Sequence, residues 1–89
     1  MDGLDPLRRE IDDIDRELVR LFESRMVKVK EIGNVKRKQG LPILDASREE
    51  EVLKRAKTYL KDKDLAEDLE QFFSKLMEIS KEVQERDRG

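Results

Sequence analysis

The chain has 89 residues, of which 47% are charged and 36% hydrophobic, and its formal net charge is −2. Because it contains no histidine and no cysteine, it lacks the commonest general base and metal ligand, and disulfide or thiol chemistry is excluded. Since neither a signal peptide nor an apolar run of about 20 residues is present, we predict one domain over residues 1–89, soluble and cytoplasmic, with no membrane association.

The first predicted helix runs over residues 6–39. Asp5 is a favourable N-cap, with Pro6 at the first helical position. Gly40, followed shortly by Pro42, is a favourable stop. Both ends of this helix therefore carry the local signals expected of helix termini.

The length of this helix has a consequence for assembly. It should measure on the order of 50 Å, whereas a compact chain of this size is only about 30 Å across. A single chain cannot cover such a helix, so we predict an intertwined homodimer in which the long first helices pair. The dipeptide Gly33–Asn34 is the weak point at which a kink would break the helix instead.

The apolar stripe of the first helix includes two cations. Its steps of three and four residues match the helical period, and its members are Leu7, Ile11, Ile14, Leu18, Leu21, Phe22, Arg25, Val29, Ile32 and Lys36. A cation taken out of water costs several kcal/mol unless it meets an anion or a hydrogen-bond acceptor. Arg25 and Lys36 therefore predict a nearby anion, either a carboxylate of the protein or an anionic ligand. Alternatively, their stems cover apolar surface while the charged heads reach solvent.

Positive charge is concentrated in residues 24–38, which could indicate nucleic-acid binding. The overall charge is nevertheless acidic, and only three phenylalanines and one tyrosine are available for base stacking. We therefore predict no nucleic-acid partner.

Two shorter helices follow. The second is predicted over residues 47–61, opened by a capping box of Ser47 and Glu50. The third is predicted over residues 64–86, with an aspartate of the segment 61–64 as its cap. Because no segment has the pattern of a strand, the predicted fold class is all-α, with three helices per chain.

Six further polar residues accompany the two cations of the stripe: Arg8, Asp45, Arg48, Glu49, Ser80 and Gln84. Each has an ordinary interpretation, either as a solvated surface residue or as favourable charge at a helix N-terminus. Together they provide cations, carboxylates, a hydroxyl and a neutral amide, a set suited to a small polyanion that carries hydroxyl groups. If the protein is an enzyme, we expect catalysis by positioning and electrostatics, without metal or cofactor.

Five segments, taken in order, carry a family resemblance. They are residues 5–15, residues 23–25, residues 32–36, residues 42–49, and Ser80 with Gln84. With this spacing the chain resembles an all-helical chorismate mutase over essentially its whole length. The resemblance implies a homodimer with crossed first helices and a cofactor-free isomerase of aromatic amino acid biosynthesis. It also implies a freestanding mutase, since no second enzyme domain is present in the sequence.

The resemblance implies a role for each catalytic residue. Chorismate rearranges to prephenate by an intramolecular reaction in which negative charge develops on an ether oxygen. By resemblance, Lys36 and Gln84 would bind that oxygen, and Arg25 would bind a substrate carboxylate. No covalent or acid–base step is implied.

The remaining residues have substrate-binding roles by resemblance. Arg8 of the partner subunit would meet the same carboxylate as Arg25, while Arg48 and Ser80 are similar to further carboxylate-binding positions. Asp45 and Glu49 match groups near the ring hydroxyl. Two alternatives remain open, an isochorismate pyruvate lyase with the same fold and a non-catalytic helical dimerisation or regulatory module.

Overall fold

The computed structural model describes residues 3–87. Three α-helices follow one another: α1 (Leu4–Gln39), α2 (Ala46–Tyr59) and α3 (Ala66–Arg86), with a 3-10 turn at Lys63–Leu65 directly before α3. No strand occurs within the described range. The predicted all-α fold with three helices and a long first helix is confirmed.

The N-terminus of α1 differs in detail from the prediction. The helix begins at Leu4 with Gly3 as its N-cap, so Asp5 lies within the first turn rather than at the cap. A carboxylate there still interacts favourably with the helix dipole. Pro6 is tolerated because the N–H groups of the first turn have no partner within the helix.

The C-terminus of α1 is a left-handed glycine stop. Gly40 has φ 67°, a conformation that glycine adopts without penalty. Its N–H donates to the carbonyl of Arg37, and the N–H of Leu41 donates to that of Lys36. These bonds give partners to carbonyls that would otherwise lack a hydrogen bond at the helix end, and they turn the chain toward α2.

The predicted capping box of α2 is wrong. The N-cap is Asp45, whose Oδ1 accepts a hydrogen bond of 3.0 Å from the backbone N–H of Arg48. The helix therefore begins at Ala46, one residue before Ser47. An aspartate at this position accepts a hydrogen bond from the third N–H of the helix, so no capping hydrogen bond from Ser47 is needed.

The start of α3 also differs from the prediction. Asp62 accepts a hydrogen bond from the N–H of Asp64, but this bond caps the 3-10 turn instead of the α-helix. The α-helix begins only at Ala66. The α2 helix ends at Tyr59, two residues before the predicted boundary, because the next residue has extended backbone angles.

The core lies where α3 packs against the C-terminal half of α1 and against α2. Met26 and Val29 of α1 pack with Val83 of α3, with Leu76 and Ile79 beside them. The N-terminal half of α1 projects beyond this core, and its apolar stripe is exposed in the single chain. The molecule measures 58 × 29 × 15 Å. None of the described helices combines the length and the apolar character of a membrane span.

Gly33 of α1 lies close to Gln84 of α3. The helix is not broken at Gly33–Asn34, since α1 is helical throughout Leu4–Gln39. Gly33 is buried, and a Cβ atom at this position would lie 3.2 Å from Cγ and 3.3 Å from Cβ of Gln84. The glycine therefore makes room for the Gln84 side chain.

Candidate active site

A cleft of about 280 Å³ opens between the C-terminal half of α1, the start of α2 and the C-terminal half of α3. Apolar side chains contribute to its wall, among them Val29, Ile32 and Met77. Of the eight polar residues singled out in the sequence, seven line it: Arg25, Lys36, Asp45, Arg48, Glu49, Ser80 and Gln84. The three-helix fold thus brings together residues that are far apart along the chain.

Arg25 is half-buried on the cleft side of α1. Its Nη1 donates to Ser80 Oγ at 2.6 Å, and this hydroxyl donates in turn to the carbonyl of Leu76 at 2.7 Å. Burial, and secondly the positive charge of Arg48, lower the pKa of Arg25. An arginine still remains charged at neutral pH, so the site holds a partly desolvated cation.

Lys36 is placed similarly, about three turns further along α1. Its Nζ donates to the backbone carbonyl of Ile43 at 2.6 Å, in the connection between α1 and α2. Within residues 3–87, neither Lys36 nor Arg25 forms an ion pair with a carboxylate. Each cation therefore has a neutral hydrogen-bond acceptor but no counter-ion. Both side chains line the cleft instead of extending freely into solvent.

The amide of Gln84 is buried at the cleft, with 7% of the residue exposed. Its Oε1 has no hydrogen-bond partner among the described residues. A buried polar atom without a partner costs about 1–3 kcal/mol, so this acceptor is available to a donor from water or from a molecule bound in the cleft. The backbone carbonyl of Gln84 accepts a hydrogen bond of 3.2 Å from Arg37 Nη1, which ties this turn of α3 to α1.

The first turn of α2 contributes three charged groups. Besides capping the helix, Asp45 presents a carboxylate to the cleft, and Glu49 pairs with Lys81 of α3 at 3.1 Å. Arg48 binds Glu51 at 2.8 Å, through an ion pair whose two side chains are 56% and 51% exposed. Exposed pairs of this kind are weak, so Arg48 can exchange Glu51 for a bound anion.

Two lysines of the cleft were missed from the sequence. Lys28 lies one turn after Arg25 on α1, and Lys81 directly follows Ser80 on α3; both line the cleft. The signal for Lys28 was its spacing of three residues from Arg25 on the same helix. The partner of Lys81 lies on another helix, so no local pattern identifies its contact.

Arg8 does not lie at the cleft of its own chain. It is exposed near the start of α1. At about 1.5 Å per residue, it is about 26 Å from Arg25 along the helix axis. A straight helix keeps the two residues apart, so one chain brings seven of the eight residues together and leaves Arg8 out.

The cleft is electropositive although the chain as a whole is acidic. Five cations line it, Arg25, Lys28, Lys36, Arg48 and Lys81, against the two carboxylates of Asp45 and Glu49. No group of metal-ligating side chains occurs within residues 3–87. The donors, acceptors and charges match a small organic anion that also carries hydroxyl groups.

The fold and the cleft define a small all-helical protein with an electropositive cleft between its three helices. Sequence comparison makes the assignment more specific, because the profile of the family described as chorismate mutase type II matches residues 7–85. The chain belongs to the chorismate mutase type II family.

Three known proteins illustrate the relationship. The T-protein of Haemophilus influenzae is 49% identical over 49 residues, which cover 55% of this chain but only 13% of that protein. A chorismate mutase of Methanocaldococcus jannaschii is 28% identical over 87 residues, 97% of this chain and 88% of that protein. The solved structure of a conserved hypothetical protein from Pyrococcus furiosus aligns with a TM-score of 0.78 and 38% identity, covering 94% of this chain and 97% of that one. The chain thus spans about an eighth of the length of the T-protein and most of the length of the other two.

Proposed function

We propose that this protein is a chorismate mutase, which converts chorismate to prephenate in aromatic amino acid biosynthesis. The observation that carries the proposal is the pair of half-buried cations, Arg25 and Lys36, that face one cleft without a counter-ion among residues 3–87. A dianionic substrate supplies the missing negative charge. Family membership and the M. jannaschii relative support the same activity.

The cleft would hold the substrate by its two carboxylates. Arg25 takes one carboxylate, together with the Ser80 hydroxyl once its single proton turns away from the Leu76 carbonyl, and Arg48 takes the other carboxylate after leaving Glu51. The ring hydroxyl donates its single hydrogen bond to Glu49, and Asp45 lies beside it. These contacts restrain a flexible molecule in the compact conformation in which the reacting carbons meet.

The rearrangement itself needs no proton transfer. The ether carbon–oxygen bond breaks as a carbon–carbon bond forms within the same molecule, and negative charge grows on the ether oxygen. The Lys36 ammonium and the buried Gln84 amide donate to this oxygen. Because this charge is greatest in the transition state, these donors lower the barrier more than they strengthen substrate binding.

The complete site would require two chains. We infer a homodimer in which the exposed stripe of α1 pairs with its equivalent, and in which Arg8 of the partner subunit joins Arg25 at the substrate carboxylate. Two observations support this assembly. Arg8 lies about 26 Å along the helix axis from Arg25, the nearest cleft residue of its own helix, and the residues Leu7, Ile11 and Ile14 are 57%, 54% and 55% exposed in the single chain.

The direct test is to incubate the purified protein with chorismate and to measure substrate loss and prephenate formation. The Lys36→Ala variant should lose roughly 100-fold or more in kcat, the effect of removing one transition-state donor. Lys38→Ala is the matched control, since Lys38 is exposed on the same helix and does not line the cleft. Salicylate and pyruvate formed from isochorismate, with no prephenate from chorismate, would instead identify a lyase. An absence of turnover on both substrates would identify a non-catalytic module.

A further inference from the structure

Lys81 is a cation of the cleft that has no part in the mechanism above. Lys81 of α3 lies between Ser80 and Gln84 in sequence and lines the cleft. Its Nζ is 3.1 Å from Oε2 of Glu49, and the two side chains are only 33% and 28% exposed. The pair joins α3 to the first turn of α2 at the cleft wall.

Lys81 has a different kind of partner from the other two half-buried cations of the cleft. Arg25 and Lys36 each donate to a neutral oxygen, so their charge remains available to an anion. The charge of Lys81 is already opposed by a carboxylate of the protein. If Lys81 left Glu49 in order to bind a substrate carboxylate, Glu49 would be unpaired beside that substrate, so this geometry favours an action through Glu49.

Glu49 needs such a partner. An unpaired glutamate in this cleft would be attracted to Arg25 and Arg48, where it would compete with an anionic substrate. Pairing with Lys81 holds the carboxylate against α3 and offsets its repulsion of an incoming dianion. The second oxygen of the carboxylate stays available as a hydrogen-bond acceptor.

We propose that Lys81 is a positioning residue, which fixes the Glu49 carboxylate at the cleft wall so that it accepts the hydrogen bond of the substrate's ring hydroxyl. The inference rests on the proposed function, because it assigns Glu49 to that hydroxyl. Lys81 itself touches Glu49 and not the reacting atoms.

The chain contains a matched control for this proposal. Lys57 of α2 pairs with Glu70 of α3 at 2.6 Å, with side chains 42% and 45% exposed. This pair also links α2 to α3, but neither residue lines the cleft. The variants Lys81→Met and Lys57→Met therefore each remove one ion pair between the same two helices, and only Lys81→Met alters the cleft.

The test measures kcat and KM on chorismate for five variants: Lys81→Met, Lys81→Arg, Lys57→Met, Glu49→Gln, and the double variant that combines Lys81→Met with Glu49→Gln. Lys81→Met should lower kcat/KM by roughly 10-fold, mainly by raising KM, because a hydroxyl contact made equally in ground and transition states contributes to binding. Lys81→Arg should restore most of the loss, and Lys57→Met should leave both constants unchanged. In the Glu49→Gln background, Lys81→Met should have no further effect.

Two kinetic outcomes would overturn the proposal. An equal loss in Lys57→Met would show that Lys81 merely links the helices, and additive losses in the double variant would show that Lys81 contacts the substrate directly. If the unmodified protein does not convert chorismate, the proposed function fails, and a crystal structure of Lys81→Met then tests the positioning role. A displaced Glu49 side chain would support that role, and an unmoved one would refute it.

Discussion

Arg25 and Lys36 are each bonded to a neutral oxygen, one to a serine hydroxyl and one to a backbone carbonyl. This arrangement orients the cations without neutralising them. For Arg25, a pKa lowered by burial means that folding disfavours its charged form. Its charge therefore opposes folding at every pH where the side chain stays protonated, and this penalty is lost only in strongly alkaline solution. An anion bound beside Arg25 would stabilise its charged form and so oppose this penalty.

Replacing Arg25 by methionine should separate stability from activity. The variant keeps most of the side-chain volume and removes a partly desolvated charge, so the thermal midpoint of the ligand-free protein should be unchanged or higher. Turnover of chorismate should fall by roughly 100-fold or more. Calorimetry and a rate assay on the same preparation check both statements. A midpoint several degrees lower would show that Arg25 supports the fold, contrary to this account.

The rate should depend little on pH. The chain has no histidine, the side chain that ordinarily titrates between about pH 5 and 8. Although burial lowers the pKa of Arg25, the guanidinium remains protonated throughout this range. The profile of kcat against pH should therefore be nearly flat from about pH 6 to pH 9. A steep titration centred in this interval would contradict the proposed mechanism.

At the scale of single elements, the sequence predicts the helices better than their ends. Periodicity and the stop at Gly40 identify a long α1, because both signals are local. The N-cap of α2 was assigned to Ser47 because its capping box is a good local signal, but Asp45 two residues earlier makes the actual cap. Two candidate caps, two residues apart, compete there, and only the path of the chain between α1 and α2 decides which one caps the helix.

The difference between local signals and contacts between helices also explains which cleft residues can be identified from the sequence. Arg25 and Lys36 were recognisable because a charge on an apolar stripe is visible in one helix, and seven of the eight residues singled out do line one cleft. Lys81 was missed because its partner, Glu49, is on another helix. Gly33 was interpreted as a weak point for the same reason, since the side chain that needs its space belongs to α3.

Gly33→Ala tests the contact between α1 and α3. Alanine is favoured over glycine inside a helix by about 1 kcal/mol, so propensity alone predicts a more stable protein. The added methyl group would instead lie 3.2 Å from Cγ of Gln84 and displace the amide that faces the cleft. We expect kcat to fall roughly 10-fold, since small misplacements of catalytic groups have large effects.

Gly3→Ala is the matched control, because no atom lies within 4 Å of the added carbon. It should leave kcat unchanged. If Gly33→Ala turned over chorismate at the normal rate, the room beside Gln84 would have no catalytic importance.

At the scale of the whole molecule, the single chain has little core. Its buried hydrophobic residues within the described range are Met26, Val29, Ala56, Met77 and Val83. The core of such a small chain contributes little stability, so the exposed stripe of α1 should be covered by a second chain. The proposed dimer would satisfy this need and supply Arg8 in the same contact.

Mixing two inactive variants tests whether each active site is shared between two chains. In a heterodimer of Arg8→Ala and Arg25→Ala chains, one cleft keeps its own Arg25 and receives an intact Arg8 from the partner subunit. After unfolding and refolding together in equal amounts, about a quarter of the normal sites should be restored by random pairing. Each variant refolded alone is the control and should remain nearly inactive. A mixture no more active than its components would exclude a shared site.

The separation of Arg8 from the cleft along one rigid helix also has a genetic consequence. A chain with both Arg8→Ala and Arg25→Ala would inactivate its own cleft and also the cleft of any normal chain with which it pairs. Expressed in equal amount beside the normal chain, it should leave about half of the activity that the normal chains would have alone, by random pairing. Such an allele would be dominant, whereas one that prevents the chain from folding would be recessive.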